Sequence, residues 1–205
     1  MGKAKVVALP RLVSYSASEM EALKKASPAF ARYLKILENS PTDFMSKLRA
    51  QRHQAWCEAV AATYFERAST KAICAWWNRQ VEELLRTAWT QSGLDQISCA
   101  LFALGKLGAG ELNLSSDVDL ILVCESSSLA QATPLMREFR KFLGETTDWG
   151  FCLRLDFDLR PGGRLGPLLT TPEQFQDYYW SQGETWERLA LVRMNPLIGA
   201  QSLIR

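Results

Sequence analysis

Apolar positions recur at spacings of three and four along the chain as far as Gly93, then give way to short continuous runs and alternation. The first pattern belongs to helices buried on one face, the second to strands. Met20, Leu23, Ala26, Phe30, Tyr33, Leu34 and Leu37 trace one stripe. They predict a helix from a cap at Ser18, with Glu21 completing a capping box, to about Asn39. Pro28 inside that stretch predicts a break near Ser27. Thr42 or Asp43 caps a second helix over 43–68. A third, over 70–91, buries Ile73, Trp76, Trp77, Val81, Leu84, Leu85 and Trp89 and closes at Gly93. Beyond it, Ile97 to Leu104 reads as a strand buried on both faces, and a short helical piece follows over 108–113. Asp117 to Cys124 is a second strand, 131–149 a helix, and Phe151 to Leu159 a third strand stopped by Pro161-Gly162-Gly163. Thr171-Pro172 opens a helix in the favoured cap-then-proline order, and Gly183 separates it from a last helix running from Glu184 to about Met194.

The glycines sharpen this division. Eleven of the twelve occur from Gly93 onward. The expected organisation is therefore a helical lead-in over 1–94, with residues 1–15 weakly structured, and an α/β catalytic domain over 95–205. The fold class is α+β, with a small mixed sheet flanked by helices. At 205 residues the chain can bury one full core, or one core with a smaller unit attached. A net charge of +2 excludes the long basic stripe of a non-specific nucleic-acid binder. No apolar run approaches the length of a membrane span. The apolar stretch after Met1-Gly2-Lys3 is too short for a signal-peptide core, and Val6 stands where a myristoylation signal wants Ser or Thr. A cytoplasmic protein with no nucleic-acid or membrane partner is expected. The five scattered cysteines read as buried free thiols.

Candidate chemistry gathers between Gly105 and Asp119. Asp117 and Asp119 lie two apart on a predicted strand, so both carboxylates share a face, roughly 7 Å apart along the backbone. Their neighbours Val118 and Leu120 to Val123 are apolar, and acids in a buried strand need a compensating charge. Oxygen donors of this kind suit Mg²⁺ or Mn²⁺. The preceding turn supplies Gly105, Gly108 and Gly110, through which backbone N–H groups can approach a phosphate, together with Lys106, Ser115 and Ser116. No Walker A or GxGxxG pattern is present. Asp156 and Asp158 share a face of the third predicted strand. With Asp117 and Asp119 they could form a carboxylate set around metal ions for in-line transfer at phosphorus, and Arg154, Arg160 and Arg164 are at hand to neutralise charge. His53, the single histidine, sits far from this turn on a predicted helix and reads as solvated or structural.

Leu-Gly-Lys followed by ten residues and Asp-Val-Asp-Leu resembles the nucleotidyltransferase superfamily that includes DNA polymerase beta. A closer resemblance lies in Gly105 to Leu120, Arg154-Leu-Asp-Phe-Asp-Leu-Arg-Pro161, Gly166-Pro-Leu168 and Tyr178 to Arg193. Together these stretches look like the signatures of the bifunctional glutamine synthetase adenylyltransferase/adenylyl-removing enzymes. The resemblance is strong over about 96–199. Glu111-Leu112-Asn113 and the Tyr178…Glu187-Arg188 form are similar to the N-terminal half of those enzymes. That half removes AMP from a tyrosine of glutamine synthetase by phosphorolysis, giving ADP, while the other half adds AMP from ATP. The resemblance implies a DNA-polymerase-beta-like domain, truncated here to a single half. It implies Asp117, Asp119 and Asp156 as catalytic metal ligands for Mg²⁺ or Mn²⁺. It also implies Gly105, Lys106, Gly108, Gly110, Ser115, Ser116 and Arg160 as nucleotide and phosphate contacts. Glutamine synthetase is the implied partner, with a nitrogen-signalling regulatory protein possible for the full-length family. Asp158 and Asn195 stand where the family pattern has basic residues, which removes positive charge near the expected phosphate site. The alternatives are a nucleotidyltransferase with another acceptor and an inactive fragment that only binds partners.

Overall fold

The computed structural model describes residues 8–204. The basic start over 1–7, on which the readings against a signal peptide and myristoylation drew, lies outside the described residues. The rest of the expected loose lead-in is packed: Leu9 and Tyr15 are buried on either side of a turn at Leu12–Ser14.

The first predicted helix is two helices, α1 (Ala17–Ala26) and α2 (Pro28–Leu37), broken at Ser27 as Pro28 requires. The capping box sits two residues earlier than expected, on Ser16 and Glu19 rather than Ser18 and Glu21. Both pairs have the right spacing. Glu19 has in addition a distant partner, Arg67, at 2.5 Å, and that tertiary contact selects the register. Asp43 caps α3 (Phe44–Tyr64), which ends four residues short of the predicted 68. Ser69 caps α4 (Thr70–Ser92), and Gly93 closes α4 at φ +83°, a left-handed conformation that suits glycine.

The second half is built on a small mixed sheet. β1 (Cys99–Ala103) leads into a single helical turn, α5 (Gly105–Gly108), and then β2 (Val118–Cys124) returns antiparallel to β1. The helical piece expected over 108–113 is thus earlier and shorter. α6 (Leu129–Gly144) crosses over to β3 (Leu155–Asp156), which pairs parallel with the start of β2, and β4 (Leu169–Thr170) pairs parallel with its end. Next come α7 (Pro172–Ser181), capped by Thr171, and α8 (Thr185–Leu191). β5 (Asn195–Gly199) closes the free edge of β1 in antiparallel pairing, followed by α9 (Gln201–Ile204). The predicted nine-residue strand over 151–159 keeps only Leu155 and Asp156. Flanking residues Cys152, Leu153 and Phe157 are buried on irregular backbone instead.

Each face of the sheet has its own cover. Leu101, Leu120 and Leu122 join α3, α4 and α6 in the main core through Trp77, Trp89 and Phe139. Phe102, Leu104, Ile121 and Val123 face the other way, against Phe175, Leu191 and Met194. Cys99 and Cys124 stand opposite each other in the β1–β2 register and are paired sulfur to sulfur, where free thiols were expected; Cys57, Cys74 and Cys152 are free.

α3 ties the two halves together with buried polar groups. The Arg49 guanidinium is fully buried and donates to the carbonyls of Phe142, Glu145 and Gly150, so it terminates α6. His53, also fully buried, stacks on Tyr33 and donates through Nε2 to the Trp149 carbonyl at 2.6 Å, while Arg52 donates to Nδ1. The two partners fix one neutral tautomer. Burial, helped by Arg52 and Arg49, pulls the His53 pKa from 6.5 to about 4. A histidine held neutral in the folded state contributes stability that is whole above pH 6.5 and is lost as pH falls towards 4. The loss should be on the order of 3 kcal/mol. Urea unfolding of the wild type at pH 7 and pH 4.5 should show it, and His53→Gln should flatten the difference between the two.

Candidate active site

The site begins with a close approach. Gly105, at φ +54°, lies directly against the Asp119 carboxylate, and a Cβ at residue 105 would occupy the space of Asp119 Oδ2. Only glycine allows both the left-handed backbone and this contact. The Leu104 N–H donates to the Asp119 carbonyl at 3.0 Å, locking the end of β1 to the start of β2. Gly108 is needed for a different reason: a Cβ there would run into the Arg193 and Ala103 carbonyls. Gly110, at φ +72°, turns the chain in open space.

Asp119 is half-buried in β2, and its register partner in β3 is Asp156. Register partners in a parallel pair point to the same face, so the two carboxylates stand side by side. Burial raises the Asp119 pKa, Asp156 and Asp117 raise it further, and Lys106 opposes them. The Asp158 N–H donates to Asp156 Oδ1 at 2.7 Å, which orients that carboxylate.

Asp117 lies just before β2 and is exposed. Arg154 Nε donates to its Oδ1 at 2.7 Å, and another Arg154 nitrogen donates to the Ser115 carbonyl. Among the described residues no three His, Cys, Asp or Glu side chains gather closely enough to hold a metal ion. The structure thus brings Asp119 and Asp156 together and turns Asp117 towards Arg154.

The expected phosphate contacts divide into two groups. Lys106 is exposed and donates to Ser116 Oγ at 3.3 Å, and the Ser115 and Ser116 loop borders the acids. Arg160 has another role. It is 7% exposed, and its nitrogens donate to the carbonyls of Phe157, Arg164, Gly166 and Pro167. It braces the 161–167 loop and has little left to offer a nucleotide. Asp158, expected to add uncompensated negative charge, pairs with Arg164 at 2.6 Å. The Asn195 amide donates to the Gly108 carbonyl at 2.5 Å, so this departure from the family pattern holds the glycine turn. In the sequence Arg154 is only a neutralising charge; its tie to Asp117 is a product of the fold. The place of Arg154 seven residues before Pro161-Gly162-Gly163 gives no sign of a pairing made between the starts of two strands. Tyr178 and Glu187 of the last motif hydrogen-bond each other at 3.0 Å and fasten α7 to α8.

A divalent cation fits this donor set. Asp119 is half-buried and crowded by a second carboxylate, which raises its pKa, and a hard cation is the natural relief for paired oxygen donors. Asp119 and Asp156 would hold it, and Asp117 could join by leaving Arg154.

An antiparallel β1–β2 pair joined by a glycine turn, with acids at the head of β2 and on the neighbouring parallel strand, defines an α+β protein with a paired-acid site. The chain belongs to the glutamate-ammonia ligase adenylyltransferase family, whose model matches residues 6–204. It is similar to bifunctional glutamine synthetase adenylyltransferase/adenylyl-removing enzymes from several bacteria. The one from Vibrio parahaemolyticus is 41% identical over 104 residues, 45% of this chain and 11% of the relative. The one from Nitrosococcus oceani is 37% identical over 113 residues, 50% of this chain and 12% of the relative. The one from Bartonella henselae is 30% identical over 187 residues, 78% of this chain and 19% of the relative. The chain thus matches a fifth or less of each relative's length.

The crowding of Asp119 has a measurable cost. A carboxyl whose folded pKa is raised loses stability as pH climbs through that range, so at pH 7 the metal-free fold carries the penalty. Asp119→Asn should raise the urea midpoint at pH 7 in the presence of a chelator. Excess Mg²⁺ should reverse the order, because only the wild type gains a bound ion.

Proposed function

We propose that this chain carries the adenylyl-removing site of an enzyme that regulates glutamine synthetase. An oxygen of inorganic phosphate attacks the phosphorus of AMP on a glutamine synthetase tyrosine. The new phosphorus–oxygen bond forms as the bond to the tyrosine oxygen breaks; ADP leaves and the tyrosine oxygen takes up a proton. The observation that carries this reading is the register pairing of Asp119 with Asp156 beside Gly105, in a chain of this family. The choice of removal over addition of AMP from ATP rests on the Glu111-Leu112-Asn113 and Tyr178…Arg188 forms. The setting we propose is the cytoplasm, with glutamine synthetase as protein substrate and a nitrogen-signalling protein as possible regulator.

A divalent cation on Asp119 and Asp156, with Asp117 as third donor, would neutralise charge on the transferring phosphoryl group. The remaining work falls to the chain's own groups. Gly105 leaves room for the Asp119 carboxylate at the turn. Lys106, exposed above Ser116, offers a positive charge to the incoming phosphate. Ser115 and Ser116 add hydroxyl donors at the head of β2. Arg164 offsets the charge of Asp158.

A second reading, a non-catalytic partner-binding unit, draws on the pairing of Asp117 with Arg154, which withdraws one donor from the site. Adenylylated glutamine synthetase, Mg²⁺ and labelled phosphate separate the two. On the proposed reading labelled ADP appears, and Asp119→Ala or Asp156→Ala lowers its rate by about a thousandfold. Asp117→Ala should also abolish it. Undiminished ADP release in these variants would remove the acids from the mechanism. No ADP together with no Mn²⁺ binding would favour the partner-binding reading.

A further inference from the structure

The face of β2 opposite the acids carries a second feature. A cavity of about 220 Å³ lies between α2, α3, α4 and the 112–118 segment. Tyr33, Trp56, Trp77 and Phe151 wall it, and Val118, the residue between the two acids, forms part of its lining. Arg52 projects into this space. It is 4% exposed, and its Nε–H has no hydrogen-bond partner. Its guanidinium lies 4.9–5.8 Å from the centroids of the four rings. Among the described residues no carboxylate pairs with it, and its one hydrogen bond is from a terminal nitrogen to His53 Nδ1. Burial pushes the neighbouring Cys57 and Cys152 thiols up to about 12, so they supply no negative charge, and Arg32 and Arg49 add to the positive field at the adjoining His53.

A buried guanidinium without a counter-charge is expensive. The rings recover part of that cost through their π faces. Water could satisfy Nε–H but would not supply the charge. A carboxylate would supply both, accepting side by side from Nε and a terminal nitrogen in the geometry a guanidinium presents. The rest of the lining is apolar, through Val81, Leu112 and Leu114, so the body of the ligand should be apolar too. One buried cation balances a monoanion and leaves a phosphate dianion under-compensated. The exposed Ser115 and Arg154 and the half-buried Ala29 and Ser116 mark the way in.

We propose that this cavity is a binding site for a small organic carboxylate, held by Arg52 within the aromatic cage. The site stands on different residues from the acid pair and does not depend on the proposed reaction. Because Ser115 and Arg154 belong to both the cavity rim and the Asp117 ion pair, an occupant would be felt at the head of β2.

The probes are benzoate, benzyl alcohol and inorganic phosphate. Each is titrated into the intact chain while the Arg Nε–H and Trp indole resonances are followed by nuclear magnetic resonance. Benzoate should give saturable shifts at one Arg Nε–H and at the cavity tryptophans, and the alcohol and phosphate should not. Arg52→Met should weaken benzoate binding tenfold or more. Should that variant misfold, Ala29→Phe, which plugs the entrance from the surface of α2, should abolish the shifts in a folded protein. Equal binding of benzoate and benzyl alcohol would overturn the proposal in favour of a plain apolar cavity. Phosphate that binds and competes would overturn the choice of carboxylate. Absence of any saturable shift, or shifts that survive Ala29→Phe, would leave Arg52 held by its rings and His53 alone and refute the site.

Discussion

The structure turns on one steric condition: the Asp119 carboxylate occupies the space in which any other residue at 105 would place its Cβ. That contact requires β1 to stop at Ala103 and the chain to turn at once into α5, so the glycine turn and the first acid are one unit. It also keeps the carboxylate half-buried, where a second acid on a neighbouring strand becomes costly. The fold accepts that cost by placing Asp156 in register on β3. A site built in this way is less stable when empty than its neutralised form would be, a common exchange of stability for function.

Much of this was readable from residue types. The helix break at Ser27, the Asp43 and Thr171 caps, the left-handed Gly93 and the β2 strand all follow from local rules, and the structure has each of them. The failures share a cause. The Ser16 cap was chosen over Ser18 by Arg67, a residue far along the chain. Alternation over 151–159 suggested a long strand, but Arg160 draws the segment after Asp156 into a loop by donating to its carbonyls. β5 was missed because Asn195, Pro196 and Gly199 are poor strand formers, and the open edge of β1 recruits them regardless. Of the candidate site, spacing revealed that the acids share a face, but it could not reveal that Arg154 would claim Asp117.

The arginines illustrate how position decides role. Arg49 finishes a helix, Arg160 braces a loop, Arg154 holds an acid, and Arg52 has aromatic faces and the His53 ring nitrogen around it but no oxygen on its Nε–H. In sequence these are equivalent positive charges. In the fold three of the four are matched to oxygen atoms, and this is why the fourth stands out. α3 supplies both Arg49 and Arg52, so the helix that fixes the route of the chain towards Asp156 also faces the cavity behind β2.

The pairing of β5 with β1 joins residues nearly a hundred positions apart and makes β5 an outer strand of the sheet. During synthesis β1 and β2, both apolar, leave the ribosome about seventy residues before β5, and one side of β1 then waits for its partner. Until Asn195–Gly199 emerges, that side presents free backbone donors and acceptors to any strand that passes. In that interval the β1 edge is the part of the sheet open to mispairing, and the late arrival of β5 is what closes it.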